Sequence, residues 1–449
     1  MQQYTDVTSD SRKVTPGALF VAIPGVKVDG AQFIAQARER GAAAIMGEGD
    51  GCDIRVADAR AAYAEACAEH FGHPSHELLL CGVTGTNGKT TTTVLLRDML
   101  AQGGLQPGLI TTVAIEWEGH SEPADCTTPD ARILQQTLHQ MVAAKARAAV
   151  MEISSHAVNQ KRVAACRYAV LAFTNLTQDH LDYHGTMEEY YQAKARLFHA
   201  HLSTPAVINI DDPYGARLLT ELEAAGHTRL YPYSPATIQA VCSAHGTEAA
   251  FSLGGRRLEF HTALCGRYNL ANLLCAATAA HALGVTTDAI LCAMTNAKPK
   301  WGRLEAAAPG VFVDYAHTDD ALTNVLSTLR EITVGRLFCV FGCGGDRDRT
   351  KRPKMAAAVE ALADIIIVTS DNPRTERPEA IIADILTGFS PESTPLIEPD
   401  RRKAIQIALQ MKQPDDVVLI AGKGHETYQE INGVRYDFSD AEVVRAFGV

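Results

Sequence analysis

Gly82-Val83-Thr84-Gly85-Thr86-Asn87-Gly88-Lys89-Thr90-Thr91 follows the apolar residues 78–81 and runs into a helical pattern. The order reads as a strand, a phosphate-cradling loop and a helix N-terminus. Glycine lets backbone N–H groups converge on phosphate oxygens, and the helix end adds positive potential. Lys89 then neutralises the outer phosphates, and Thr90 offers a hydroxyl to Mg²⁺. The stretch predicts a nucleoside triphosphate site made of Gly85, Thr86, Asn87, Gly88, Lys89, Thr90 and Thr91. It is a variant of G-x-x-x-x-G-K-[ST], which places glycine where Val83 stands. A glycine-rich turn that binds nothing is the alternative, and lysine with two threonines at a strand-to-helix junction argues against it.

Outward from this loop, the 449 residues are too many for one core and imply about three domains. Turn formers at residues 71–76 place one boundary, and residues 298–303 place another. The expected division is 1–76, 77–304 and 305–449. Strand and helix patterns alternate in the central part, as βα units in a largely parallel sheet would. Beyond it, apolar runs at residues 311–313, 337–341, 365–368 and 417–420 each end in a polar loop. That predicts a Rossmann-like α/β unit with its ligands at the strand C-termini. The fold class is therefore α/β throughout.

A net charge of −11 argues against nucleic-acid and anionic-membrane partners. Small anionic substrates gripped by local cationic clusters fit better. No segment approaches the ~18 apolar residues of a membrane span. The first residues lack a basic region followed by an apolar one, so no secretory signal is expected. Eleven scattered cysteines read as buried thiols of a reducing cytoplasm.

Residues 148–153 form an apolar strand that delivers Glu152 at its end, before Ser154-Ser155-His156. An acid at the tip of a strand beside a P-loop strand is placed to hold Mg²⁺. It is equally placed to cap the next helix. Residues 174–185 pack His180, His184, Asp179 and Asp182 into one loop. In the helix that follows, Met187, Tyr190, Tyr191, Lys194, Leu197 and Phe198 recur at three- and four-residue intervals, so Lys194 lies on the core stripe. Three readings remain open for it: a structural ion pair, snorkelling to water, or carbamylation by CO₂ into an anionic metal ligand.

Taken together, these motifs resemble the Mur ligase family, ATP-dependent enzymes that add amino acids to the peptidoglycan precursor. The ordered matches include Thr127-Thr128-Pro129, Met151-Glu152-Ile153-Ser154-Ser155-His156, Gln192-Ala193-Lys194, Gly266-Arg267-Tyr268-Asn269, Gly302-Arg303-Leu304-Glu305 and Asp314-Tyr315-Ala316-His317-Thr318. The resemblance implies that Lys194 is the carbamylated lysine (N6-carboxylysine), with Thr90, Glu152 and His180 at the Mg²⁺ site. It implies ATP contacts at Asn272, Arg303 and Asp314. It makes 1–76 a uridine-nucleotide domain, 77–304 a P-loop ATPase domain and 305–449 an amino-acid domain.

Gly342-Cys343-Gly344-Gly345-Asp346-Arg347-Asp348, Asp371-Asn372-Pro373-Arg374 and Gly422-Lys423-Gly424-His425-Glu426 resemble the members that add the third residue of the peptide. In members that add meso-diaminopimelate, the Asp-Asn-Pro-Arg motif forms the amino-acid pocket, and members that add L-lysine lack its arginine. The physics agrees, because a guanidinium grips the extra carboxylate of diaminopimelate bidentately and would be left unpaired by lysine. The implied diaminopimelate contacts are Arg347, Asp371, Asn372, Pro373, Arg374, Gly422 and Glu426. For UDP-N-acetylmuramoyl-L-Ala-D-Glu they are Ser9, Ser11, Thr127, Thr128, Ser154, Gln160 and Arg162. One departure is Val26-Lys27-Val28, where family members often carry His-Gln. The expected protein is a monomer of the bacterial cytoplasm, with Lys89, Glu152, His180 and Lys194 at the centre of its chemistry.

Overall fold

The computed structural model describes residues 4–25, 28–243 and 246–448, so Val26 and Lys27 lie outside the described residues. In the N-terminal part, strands Val7–Thr8, Leu19–Ala22, Ala44–Gly47 and Ile54–Arg55 form a parallel sheet in chain order. Side chains alternate across it with the strand period of two. Leu19 and Val21 pack with Tyr63 and Ala64 of the helix Ala59–His70, whereas Phe20 and Ala22 pack with Ala37 on the other face.

The central sheet has eight strands. Leu230–Tyr233, Ala206–Asn209, Val170–Phe173, Leu79–Thr84, Ala148–Glu152 and Pro107–Ile110 lie side by side and parallel. Ala114–Trp117 and His120–Pro123 then extend it as an antiparallel hairpin. The P-loop strand Leu79–Thr84 is flanked by the strand that carries Glu152 and by the one that leads into the His180 loop. The sheet thus brings three stretches far apart in sequence to the C-terminal end of adjacent interior strands.

One element departs from the expected βα alternation. Gln239–Ser243, Gly246–Leu253 and Arg256–Thr262 form an antiparallel meander. Its alternating Ala249, Phe251, Leu253 and Leu258, Phe260 pack into the core that contains the helix Arg267–Ala282. That period-two pattern is the signature of a half-buried sheet.

The C-terminal sheet runs Glu305–Ala308, Val311–Asp314, Val417–Ala421, Leu337–Phe341, Ile365–Val368, Leu396–Ile397 and is parallel except for its first pair. All four apolar runs are strands of it. At the C-terminal ends of its interior strands, Arg401 and Asp440 form a fully buried bidentate ion pair at 2.8 Å. The cysteines are all free, but only Cys67, Cys81, Cys166, Cys275, Cys339 and Cys343 are buried. Cys126 in a loop and Cys292 on the helix Thr287–Thr295 are exposed, which corrects the expectation of uniformly buried thiols. Among the described residues no helix is long and apolar enough to cross a membrane.

Candidate active site

The phosphate loop is shaped by two close approaches. At Gly85 a Cβ would lie 1.9 Å from Thr174 Oγ1. At Gly88, where φ is +82°, it would lie 2.1 Å from Asn272 Oδ1. No other residue fits either position. Gly88 caps the helix Lys89–Gln102, so the helix N-terminus opens into a cavity of about 240 Å³ lined by residues 86–91, Glu152, Asn272, Arg303 and Asp314. Lys89 Nζ donates to the carbonyls of Gly85 at 3.1 Å and Thr86 at 2.8 Å. Burial pushes its pKa down, while Glu152 and Asp179 pull it back up.

Arg303 reaches this loop from the C-terminal side. Its Nη2 donates to Thr90 Oγ1 at 3.1 Å, and its guanidinium lies 4.6 Å from the centre of the Tyr315 ring. Asp314 fixes the backbone next to it, accepting the N–H groups of Leu304 at 2.6 Å and Ala316 at 2.7 Å. Burial raises the Asp314 carboxyl to about 6, against the pull of Arg303 and both N–H groups.

Glu152 Oε1 accepts the Thr112 N–H at 3.0 Å, and Oε2 accepts its hydroxyl at 3.3 Å. The cap of the next helix is Ser154, whose hydroxyl accepts from Ala157 N–H, so the capping alternative for Glu152 fails. His180 caps the helix Leu181–His184 in a left-handed conformation, with φ at +55°. Its Nε2 lies 3.5 Å from Asp179 Oδ2. Burial keeps the His180 imidazole neutral far below its ordinary range. Burial alone would raise Asp179, but the positive groups around it, with the Lys351 ammonium and the His180 backbone N–H among them, outweigh it and hold its carboxyl below the usual range.

Lys194 is 1% exposed. Its Nζ donates to the Gly85 carbonyl at 2.9 Å and sits 4.7 Å from the centre of the Tyr190 ring. The head group does not snorkel, and no ion pair reaches it among the described residues. Burial, helped by the nearby Lys89 cation, drives its pKa well down. Two of the three readings of this residue therefore fail.

The donors here fit Mg²⁺ better than a softer metal. Glu152 keeps lone pairs beyond its two Thr112 bonds, and Thr90 offers a hydroxyl in the same cavity. Among the described residues no group of three or more His, Cys, Asp or Glu forms a metal cage. A cation that keeps several waters and takes substrate phosphates needs none.

A second cavity, of about 140 Å³, is lined by Arg347, Asp371, Asn372, Arg374, Gly422 and Glu426. It shares Asp179, His180, Tyr315 and His317 with the first, so the two meet at one wall. Arg374 is no free surface arginine: its Nη1 donates to the Gly345 carbonyl at 2.7 Å and its backbone N–H to Glu430 at 3.0 Å. Asn372 Nδ2 donates to Glu426 Oε2 at 2.8 Å. Gly422, with φ at +116°, would set a Cβ 2.5 Å from Asp371 Oδ2. Pro373 is outside the cavity wall, and its carbonyl lies against Gly345.

Thr127, Thr128, Ser154, Gln160 and Arg162 gather around the end of the Glu152 strand. Thr128 Oγ1 donates to the Glu152 carbonyl at 2.9 Å, and Arg162 donates to the Thr128 carbonyl at 2.9 Å and to Gln160 Oε1 at 2.8 Å. Thr112 Oγ1 lies 3.0 Å from Thr127 Oγ1. Ser9 and Ser11 line neither cavity; the Ser11 hydroxyl donates to Gln36 at 2.6 Å. Two residues of the 174–185 stretch carry no assigned role in the sequence analysis: Asp179, which lies 3.8 Å from Lys351 Nζ and 4.0 Å from His317 Nε2, and Asn175, whose Oδ1 accepts Asn87 N–H at 2.9 Å. The His180 loop motif held the signal for Asp179, but its partners lie more than a hundred residues away.

Three family descriptions match in chain order: the Mur ligase family catalytic domain over residues 3–72, the Mur ligase middle domain over 83–280, and the Mur ligase glutamate ligase domain over 302–424. A protein of Gloeobacter violaceus named UDP-N-acetylmuramoyl-L-alanyl-D-glutamate--2,6-diaminopimelate ligase is 45% identical, covering 98% of this chain and 92% of its own. A solved structure of a ligase of the same name is 34% identical over 99% of this chain and 94% of its own, with a TM-score of 0.70. The MurF ligase from Thermotoga maritima, solved in complex with ADP, shares the fold at 19% identity and a TM-score of 0.66, over 99% of this chain and 97% of its own. With matches along nearly its whole length and identity at this level, the chain belongs to the Mur ligase family.

Proposed function

We propose that this chain is an ATP-dependent amide ligase that joins meso-2,6-diaminopimelate to the D-glutamate γ-carboxylate of UDP-N-acetylmuramoyl-L-Ala-D-Glu in peptidoglycan precursor synthesis. The observation that carries the reading is the pair of cavities meeting at one wall: one holds a P-loop, the other two guanidinium groups. The γ-carboxylate attacks the terminal phosphorus of ATP, and ADP leaves. The neutral amine of diaminopimelate then attacks the resulting acyl phosphate, and phosphate leaves as the amide forms.

In this scheme Lys89 and Arg303 offset charge on the transferring phosphoryl group. Asn272 and Asp314 position the nucleotide side. Thr127, Thr128, Ser154, Gln160 and Arg162 hold the muramoyl peptide, with Ser9 and Ser11 towards its nucleotide end. Arg374 and Arg347 take a carboxylate of the amino acid, and Glu426 takes an ammonium. Thr90, Glu152, His180 and Lys194 as a carbamate would hold Mg²⁺, which lends electrostatic stabilisation to the phosphoryl oxygens. The buried neutral amine of Lys194 is the nucleophilic form that CO₂ addition requires. The assignment of 1–76 to the uridine nucleotide, 77–304 to ATP and 305–449 to the amino acid belongs to the same reading, as do a monomeric state and a bacterial cytoplasmic setting.

The test is phosphate release by the full chain with ATP, Mg²⁺ and the UDP-muramoyl dipeptide, comparing diaminopimelate, L-lysine and no amine. Release only with diaminopimelate supports the reading. Equal release with lysine would keep the ligase and reject the pocket assignment.

A further inference from the structure

Lys423 belongs to the Gly-Lys-Gly-His-Glu motif, yet it contributes nothing to the wall of either cavity. It is fully buried behind the amino-acid cavity, in the loop after the strand Val417–Ala421. Its ammonium donates to Asn372 Oδ1 at 2.9 Å and to Glu426 Oε2 at 2.8 Å. The Glu430 backbone N–H donates to the same Asn372 oxygen at 2.9 Å.

Two donors on one oxygen fix the orientation of the Asn372 amide. A flipped amide would set its NH₂ against an ammonium and an N–H, and its oxygen against the Glu426 carboxylate. In the observed arrangement Nδ2 donates one hydrogen to Glu426 Oε2 and keeps a second, while Glu426 Oε1 has no protein donor among the described residues. The cavity is thereby given a donor at Asn372 and an acceptor at Glu426, both on the same wall as Arg374.

We propose that Lys423 is a positioning residue for amino-acid selectivity: by clamping Asn372 and Glu426 it presents N–H donors for a carboxylate beside an acceptor for an ammonium. This inference rests on the diaminopimelate reading above. The zwitterionic end of diaminopimelate satisfies both groups. L-lysine carries no carboxylate at its far end, so it leaves the remaining donors of Asn372 and Arg374 without a partner. A site built to hydrogen-bond a substrate group rejects the analogue that lacks it.

The test uses the full chain and its Lys423→Met, Lys423→Gln and Lys423→Arg variants. Separate kcat and KM values are measured for diaminopimelate and ATP, with relative turnover of L-lysine. In the Met and Gln variants KM for diaminopimelate is expected to rise roughly 10- to 100-fold, as loss of charged hydrogen bonds would give. KM for ATP stays within about 2-fold, the preference over lysine narrows, and Arg restores part of both. An unchanged diaminopimelate KM with a lowered melting temperature would make Lys423 merely structural and overturn the inference. Failure of both Met and Gln to fold would overturn it likewise. A wild-type chain that ignores diaminopimelate would overturn the functional reading itself, which separates the two failures.

Discussion

An amine held under the P-loop with a carbonyl as its hydrogen-bond partner, as Lys194 is, has little reason to be a lysine unless it is chemically used. Lys194→Ala should lower turnover at least about 100-fold, with partial rescue by short carboxylic acids that replace the carbamate. Phosphate-release kinetics with and without added acid check this, and near-normal turnover without rescue would reject it. Asp314 gives a pH signature. Its folded pKa of about 6 lies above the ordinary 3.8, so the folded state holds the proton more tightly. Its contribution to stability is full only below the unfolded pKa of 3.8 and is lost as pH rises from there through 6. The unfolding free energy of wild type minus that of Asp314→Asn should therefore fall by about 3 kcal/mol between pH 3 and pH 7 and stay level above. Denaturant titrations across that range measure it. Lys194 and Glu152 were legible in the sequence because helix period and strand end are local properties. The roles of Asp179 and Lys423, though both residues stand in quoted motifs, were not, since they come from partners such as Lys351 and Asn372 that only folding brings near.

Elements show the same division. The strand, loop and helix around Gly85 and Gly88 could be read directly, because glycine, lysine and threonine occur there in one mechanical order. The meander of residues 239–262 was passed over, although Phe251, Leu253, Leu258 and Phe260 carry the two-residue period of a one-sided sheet. The helices Arg401–Met411 and Asp440–Phe447 are tied by the Arg401–Asp440 pair, with Arg401 Nη2 also donating to the Ala421 carbonyl at 2.9 Å. Leaving one charge of a buried pair alone is far more costly than removing both. Asp440→Ala should destabilise the chain by about 3–5 kcal/mol, whereas Arg401→Met with Asp440→Leu should recover most of that loss. Urea unfolding of the two variants decides; equal losses would contradict the argument.

On the scale of the whole molecule, the C-terminal sheet's loops close over the central sheet's P-loop. Asn87 Nδ2 donates to Asp320 Oδ2 at 2.7 Å, at the start of the helix Asp319–Ile332, and Arg303 reaches Thr90 beside it. Both contacts touch residues expected to meet ATP, so nucleotide binding and closure are linked through them. Asp320→Ala should lower kcat/KM for ATP about 10-fold while the unfolding temperature changes little. An unaffected kcat/KM would show that this contact does not report on closure. The anionic chain, at a net charge of −11, binds anionic substrates in this scheme only because Lys89, Arg303, Arg347, Lys351 and Arg374 line the joined cavities. In this scheme the two cavities select an amino acid with a carboxylate at each end. A competition reaction with equal concentrations of meso-diaminopimelate and L-lysine, ATP, Mg²⁺ and the UDP-muramoyl dipeptide tests it, read by the mass of the nucleotide product. A single product carrying diaminopimelate is predicted; a product carrying lysine in comparable amount would contradict the account.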